Sequence, residues 1–264
     1  MEIIGYILAI FIGVSLGLLG SGGSILTVPL LVYFFGIEPT LATSYSLLIV
    51  GAISGVGSII RLKNGQVNLR IVGIIGISSM VTVLLTRMYL LPAVPEKLLL
   101  IGSFSFNKSN AIMILFAILL FGSGYHVLKG PMNLIKDHPN KPSPVTLLIV
   151  GIGIGLITGF LGAGGGFLIV PALMLLFRTP IHVATGTSLA LITINMLLGS
   201  LGDVGRFPLD WNMVLLLLGI TLGGLILGQY LSSRINTENL SKGFGWFLLI
   251  MSIIIMMMEI GNIV

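Results

Sequence analysis

The chain has no cysteine among its 264 residues, which excludes disulfides, thiolate metal sites and cysteine nucleophiles. Charge is almost as scarce: Asp, Glu, Lys and Arg together make up 8% of the sequence, against roughly 25% in a soluble domain. No charged residue lies between Glu2 and Glu38, and the stretches 142–177, 179–202, 211–233 and 243–258 are equally bare. None of these runs holds a carboxylate at its middle, so no buried Asp or Glu proton relay is visible. Neither H-E-x-x-H nor G-x-x-x-x-G-K occurs, so no metal, cofactor or catalytic motif is present to follow. The one G-x-S-x-G, Gly13 to Gly17, lies inside an apolar run, without the strand-to-helix turn that would make its serine a nucleophile. Ser200 to Asp203 approximates the G-x-G-D of intramembrane aspartyl proteases, but begins with Ser and has no second aspartate within a span. An enzyme is not expected.

What is abundant is apolar. Hydrophobic residues make up 56% of the chain and the mean hydropathy is +1.14, the composition of a polytopic all-α protein whose first partner is the lipid bilayer. The net charge of +5 comes from basic residues scattered through short loops; with no basic face and no interleaved aromatics, nucleic acid is not an expected partner. The start Met1, Glu2, Ile3 lacks the basic residues of a secretory signal, so the first apolar run is expected to be retained. Apolar runs and turn signals predict membrane segments near 3–19, 24–36, 40–60, 70–90, 110–129, 144–161, 166–178, 182–201, 211–231 and 242–261. Between the fifth and sixth lies the longest polar stretch, Lys129 to Pro144, with four prolines and three lysines. It divides the chain into a first membrane repeat (1–128), a linker loop (129–143) and a second repeat (144–264).

Self-similarity appears at an offset of 142 residues. GLLGSGGSILTVPLL (17–31) aligns without gaps on GFLGAGGGFLIVPAL (159–173), with nine of fifteen positions identical. The same offset matches Ala42 to Ala184, Thr43 to Thr185, Ser46 to Ser188 and Ser58 to Ser200. Five segments per copy is an odd number, so the second copy enters the membrane from the opposite face. Counted over alternate sides, nine Lys and Arg fall on the side of the 61–70 loop and four on the other. The positive-inside rule makes the nine cytoplasmic and both termini extracytoplasmic, on a plasma membrane. The expected architecture is two inverted five-segment repeats, about eight full spans plus two short segments.

The glycine clusters explain the short segments. The uncharged run from Ile3 to Ile37 is too long for one span and too short for two, so it is read as a broken or re-entrant helix pair, as is its counterpart in the second copy. At each break, backbone N–H groups lack helical partners, and leaving them bare in hydrocarbon costs several kcal/mol each. Such donors at the positive end of a helix suit an anion, which glycine lets approach closely. The candidate substrate-binding residues are therefore Gly20, Ser21, Gly22, Gly23 and Ser24 in the first copy and Gly162, Gly164, Gly165 and Gly166 in the second. The following helices add the hydroxyls of Thr43, Ser44, Ser46, Thr185, Thr187 and Ser188. The two positive ends are expected to meet around one anion near mid-depth, with Pro29 and Pro171 as hinges; Pro29 either kinks the short helix or marks its first turn.

Blander roles compete for several of these features. Thr43 and Thr185 can bond to carbonyls one turn back. Gly13/Gly17, Gly151/Gly155 and Gly224/Gly228 read as helix packing. Glu38, Arg178, Asp203 and Asp210, at segment ends, read as facing water or headgroups, His126 and His182 as interfacial, and Asn195 as an interhelical bond. Ser21 is not a nucleophile, because its repeat position holds Ala163.

The duplicated GxGG-x5-P with a following AT-x2-S (Gly20 to Pro29 with Ala42 to Ser46; Gly162 to Pro171 with Ala184 to Ser188) resembles the TauE/SafE family of sulfite exporters and permeases, over essentially the whole chain. That resemblance implies a permease or exporter for a small sulfur-containing or organic anion such as sulfite, thiosulfate or a sulfonate. The sequence departs from the pattern in having Ser24 opposite Gly166 and ATSYS opposite ATGTS. The alternative is a cation- or proton-linked permease for another small solute, its broken helices coordinating Na⁺ through carbonyls. Oligomeric state has no signature in the sequence.

Overall fold

A computed structural model of the chain describes residues 2–19, 23–101, 104–129, 143–162, 166–177, 179–203, 209–232 and 237–263. Gly20, Ser21, Gly22, Gly164 and Gly165, the middles of both glycine clusters, lie outside the described residues.

The first half comprises α1 (Glu2–Leu19), the short α2 (Gly23–Phe35), α3 (Pro39–Lys63), α4 (Leu69–Leu85) and, beyond a hairpin, α6 (Lys108–Lys129). The second comprises α7 (Pro144–Leu161), the short α8 (Gly166–Phe177), α9 (Ile181–Leu201), α10 (Trp211–Ser232) and α11 (Thr237–Ile263). α4 runs on through a widened π-helical turn, Thr86–Leu90, into α5, the single turn Leu91–Ala93. Pro92 has no N–H and its ring crowds the carbonyl four residues back, which a widened turn relieves; the N–H of Leu91 accordingly reaches the carbonyl of Thr86.

Among the described residues, six helical stretches are long and apolar enough to cross a bilayer: Pro39–Lys63, Leu69–Ala93, Lys108–Tyr125, Pro144–Leu161, Val183–Leu201 and Trp211–Leu231. Ile4–Leu18, Leu26–Phe35 and Leu248–Gly261 are shorter apolar stretches. The chain is a multi-pass membrane protein, and its outer surface is a belt of exposed Ile, Leu and Val such as Ile77, Ile149 and Leu215. Between α5 and α6, among the described residues, Lys97–Ile101 pairs antiparallel with Phe104–Asn107, a short two-stranded hairpin in an otherwise helical chain. Glu96 and Lys108 close its base, the N–H of Lys108 donating to the carbonyl of Glu96 at 2.9 Å.

α3 and α9 form the centre and run antiparallel, Leu47 facing Gly199, Gly51 facing Leu197 and Gly57 facing Leu189. Around them the halves exchange helices. α1 packs on α10 of the other half and α7 packs on α4, and both pairs run parallel: Gly13 and Gly17 climb along Gly224 and Gly228, while Gly151, Gly155 and Gly159 climb along Ser78, Thr82 and Thr86. α6 and α11 complete the bundle against each other. The small-residue pairs are therefore packing devices, as expected of helices that gain nothing from hydrophobicity in lipid and must gain from close approach. A Cβ on Gly13 would strike the carbonyl of Thr221, and one on Gly228 the carbonyl of Val14.

Gly13→Val should therefore destabilise the protein by about 1–3 kcal/mol or more, whereas Gly219→Val, on the same helix pair but with open space around it, should not. Thermal unfolding of the two variants in detergent checks this; equal midpoints would show that the α1–α10 contact is loose.

Candidate functional site

The inner face of α3 carries Thr43, Ser46, Ser54, Gly57 and Arg61, spaced three, four or eight residues apart so that they form one stripe. All are buried. Thr185 and Ser188 on α9, with Asp203 just beyond its end, continue the same pattern, each 142 residues on from Thr43, Ser46 and Arg61. Both stripes turn a polar edge inward in a bundle that has no water to offer them, so each hydroxyl needs an internal partner or a ligand.

Some of the sequence-predicted contacts have protein partners. Thr43 Oγ1 donates to the carbonyl of Thr40 at 2.6 Å, the local bond that competes with ligand binding. Ser44 Oγ donates to Asp203 Oδ2 at 2.6 Å, and Thr187 Oγ1 accepts the N–H of Asn68 at 2.9 Å. Thr185 is buried. Ser46 and Ser188 differ from these: both are fully buried, and neither hydroxyl has a hydrogen-bond partner. Gly23 and Gly166 are the first residues of α2 and α8, with Ser24 next in line. Pro29 falls inside α2 rather than in its first turn, and Pro171 falls within α8. Gly162 ends α7 at φ +62°, its N–H donating to the carbonyl of Thr158. A Cβ there would lie 2.6 Å from that of Thr43, so glycine is required by both backbone conformation and proximity.

Gly17 and Gly162, the described flanks of the two breaks, are not side by side. Gly162 lies on Thr43 near the start of α3, whereas Gly17, just before the first break, packs on Leu225 and Gln229, whose side chains also flank Gly57. Arg61 Nη2 reaches the carbonyl of Gly17 at 3.4 Å. Thr43 and Gly57 are fourteen residues apart on one helix, about 21 Å at 1.5 Å per residue. The flanks of the breaks thus stand toward opposite ends of the α3–α9 pair, too far apart to share one small anion at mid-depth.

Each half also caps the other. The N–H of Asn68, which caps α4 through Oδ1 to the N–H of Ile71, is held by Thr187. The N–H of Asp210, which caps α10 through Oδ1 to the N–H of Asn212, is held by Tyr45 Oη at 2.7 Å. Asn68 and Asp210, like Tyr45 and Thr187, are 142 residues apart. The departure of ATSYS from ATGTS has its reason here: Ser44 binds Asp203, while a Cβ at the equivalent Gly186 would strike the carbonyl of Gln66.

Asp203 does not face water. It is buried in an ion pair with Arg87 of the π turn, Nη1 to Oδ2 at 3.0 Å, with side-chain exposures of 5% and 0%. The sequence signal for this pair was Arg87 itself, a guanidinium inside an apolar stretch, which by its cost marks a functional position. A cavity of about 420 Å³ opens beside the pair, lined by Glu38, Thr40, Arg87, Glu96, Lys108 and Asp203 together with Leu91 and Pro92. Glu38 is not simply solvated either. It caps α3, accepting from the N–H groups of Thr40 and Leu41, and accepts from Ser109 Oγ at 2.7 Å. Burial works against its charge, but the bonds from Ser109, Thr40 and Leu41 outweigh burial and hold its carboxyl below the ordinary range. Glu259, a second carboxylate the sequence did not flag, is buried in α11 and accepts from Tyr33 Oη at 3.2 Å and Asn110 Nδ2 at 2.9 Å. Asn195 does make the expected interhelical bond, accepting from Ser79 Oγ at 2.7 Å. The side chains of Arg178, His126 and His182 lie outside the described residues.

The family model described as sulfite exporter TauE/SafE matches residues 6–255. The chain belongs to this family. Among TauE/SafE relatives, it is 30% identical to a probable membrane transporter protein of Xylella fastidiosa (strain 9a5c), over 92% of this chain and 90% of that one. It is 26% identical to the probable membrane transporter protein YunE of Bacillus subtilis (strain 168), over 89% of each chain. A probable membrane transporter protein of Haemophilus influenzae is 28% identical over 91% of this chain and 92% of its own. No solved structure matches. As a TauE/SafE protein the chain is a membrane transporter, and the cavity, the stripes and the breaks are features to be read in that light.

The lowered Glu38 carboxyl gives a sign. Its folded value lies below its unfolded one, so the stability it lends is present above the ordinary carboxylate range and is lost as pH falls through the lowered value. The gap in thermal midpoint between the wild type and Glu38→Ala should be full at about pH 6 and should shrink toward about pH 3. A gap that is independent of pH would mean that the cap works through shape rather than charge.

Proposed function

We propose that the chain is a secondary transporter that moves a small sulfur-containing or organic anion across the plasma membrane by alternating access, with residues 1–128 and 144–264 as inverted halves joined by 129–143. The observation that carries this reading is the pair Ser46 and Ser188: equivalent in the repeat, fully buried, without a hydrogen-bond partner among the described residues, and each three residues beyond its threonine, Thr43 or Thr185. A buried hydroxyl left bare costs about 1–3 kcal/mol, a cost that a bound anion removes by accepting the proton of each hydroxyl in turn. The amides that open α2 and α8 supply further donors and the positive helix ends supply the field. Because the breaks stand toward opposite ends of the α3–α9 pair, each break with its serine serves as a half-site for one end of the path.

Inversion is supported by the directions of the helices. α1 runs parallel to α10 and α7 parallel to α4, while α3 and α9 run antiparallel; this requires α1 and α7 to start on opposite sides. α1 and α11 then count as spans, which gives eight with α2 and α8 as the short pair. The positive-inside argument survives a recount. Leaving out Arg61, Arg87 and Lys108, which are buried, eight basic residues fall on the 61–70 side and two on the other. Both termini are then extracytoplasmic.

Uptake of radiolabelled sulfite and thiosulfate into proteoliposomes, with and without Na⁺, tests the reading. Both anions should be carried without Na⁺. Ser46→Ala and Ser188→Ala should each lower the rate by about tenfold, the equivalent of about 1.4 kcal/mol, while leaving the protein folded. Transport that demands Na⁺ and ignores both serines would favour the cation-linked alternative.

A further inference from the structure

The cavity beside Arg87 carries an imbalance of charge that bears on how an anion could enter it. Among the described residues its ionisable lining consists of Arg87 and Lys108 against Glu38, Glu96 and Asp203, two cations to three carboxylates. Two of the carboxylates are tied down elsewhere: Glu38 caps α3, and Glu96 lies 3.8 Å from Lys108 at the base of the hairpin. That leaves Arg87, wholly buried, as the inner wall, with Asp203 as its counter-ion. Thr40 adds a buried hydroxyl on the same wall. A hydroxyl beside a guanidinium is an arrangement that suits an oxyanion.

An anion and Asp203 compete for the same guanidinium. If the anion takes Arg87, the Asp203 carboxylate is left with Ser44 alone in a wall that already holds two other carboxylates, and a buried charge without its partner is neutralised rather than tolerated. Resting on the transport reading above, we propose that this cavity is the anion's site at one end of the path, held by Arg87 and Thr40, and that Asp203 takes up a proton from the water at that mouth as the anion displaces it. One proton then accompanies each anion. Asp203 serves as an internal substitute that keeps the guanidinium paired when no anion is bound.

The test uses protein purified in detergent, with methanesulfonate and thiosulfate as probes, since both stay fully ionised near neutral pH and cannot supply or take the proton themselves. Thermal unfolding against probe concentration reports binding through the stabilisation that a ligand gives the folded state, and proton uptake is read in weakly buffered solution. The wild type should be stabilised and should take up about one proton per anion bound. Arg87→Gln should weaken binding at least tenfold, and Thr40→Val, which keeps the shape of the wall, severalfold. Asp203→Asn should bind at least as tightly as the wild type and take up no proton. Stabilisation unchanged by Arg87→Gln and Thr40→Val would overturn this site and leave the anion-transport reading standing. Binding by the wild type without proton uptake would overturn the role of Asp203. Failure of both probes to stabilise the wild type would overturn this site and the anion reading together.

Discussion

A chain inside a bilayer has no water with which to satisfy a polar group, so each donor and acceptor that the sequence carries inward must find its partner in the protein or in its cargo. In this protein several of those partners come from the other half. Asn68 is held by Thr187, Asp210 by Tyr45, and Asp203 by Ser44 and Arg87. None of these bonds can form until both halves are in place, and none can change without moving one half against the other. The same bonds that complete each half therefore lie on the path of any rocking motion.

Stability and function divide differently between the glycines and the ion pair. The glycines along α1–α10 and α4–α7 bring backbones close and gain dispersion energy that lipid cannot supply. The Arg87–Asp203 pair gives no such gain: burying two charges costs several kcal/mol per ion before their attraction repays it. An apolar pair of similar volume would fill the space at lower cost. Retaining a guanidinium and a carboxylate beside a cavity is understandable only if the pair does something other than hold the fold, and separating under the influence of an anion is something that an apolar pair could not do.

The helices were legible because lipid makes hydropathy nearly sufficient: the boundaries at 144–161 and 211–232 fall almost where apolar runs and prolines place them. The 142-residue offset is legible in the sequence as well, and it pairs Ser46 with Ser188, both of which are buried. What did not show was anything set by contacts distant in sequence. Asp203 reads as a surface charge because its neighbours in the chain are a helix end and a loop; its burial is decided by Arg87, 116 residues earlier. The hairpin at 97–107 has the apolar content of a membrane segment and only the pairing reveals it. The distance between the flanks of the breaks was not legible for a related reason: the sequence places each break within its own copy, but how far apart Gly17 and Gly162 lie depends on where α7 ends against α3. The contact of Gly162 with Thr43, and not the glycine pattern, fixes that.

The departures between the halves now carry a meaning of their own. The offset that pairs Arg61 with Asp203 also pairs Arg87 with Gln229. Among the described residues, each end of the α3–α9 pair therefore has one buried guanidinium, but from a different helix. At one end Arg87 faces a carboxylate. At the other, Arg61 is bonded to Gln66 Oε1 and the carbonyl of Gly17, both neutral. A perfectly symmetric duplication would present the same energy profile to an anion from either side. In the proposed site the anion displaces a charge at one end, where the other end offers only neutral acceptors. On that proposal, proton exchange belongs to a single mouth, and divergence at these two paired positions is what sets the direction.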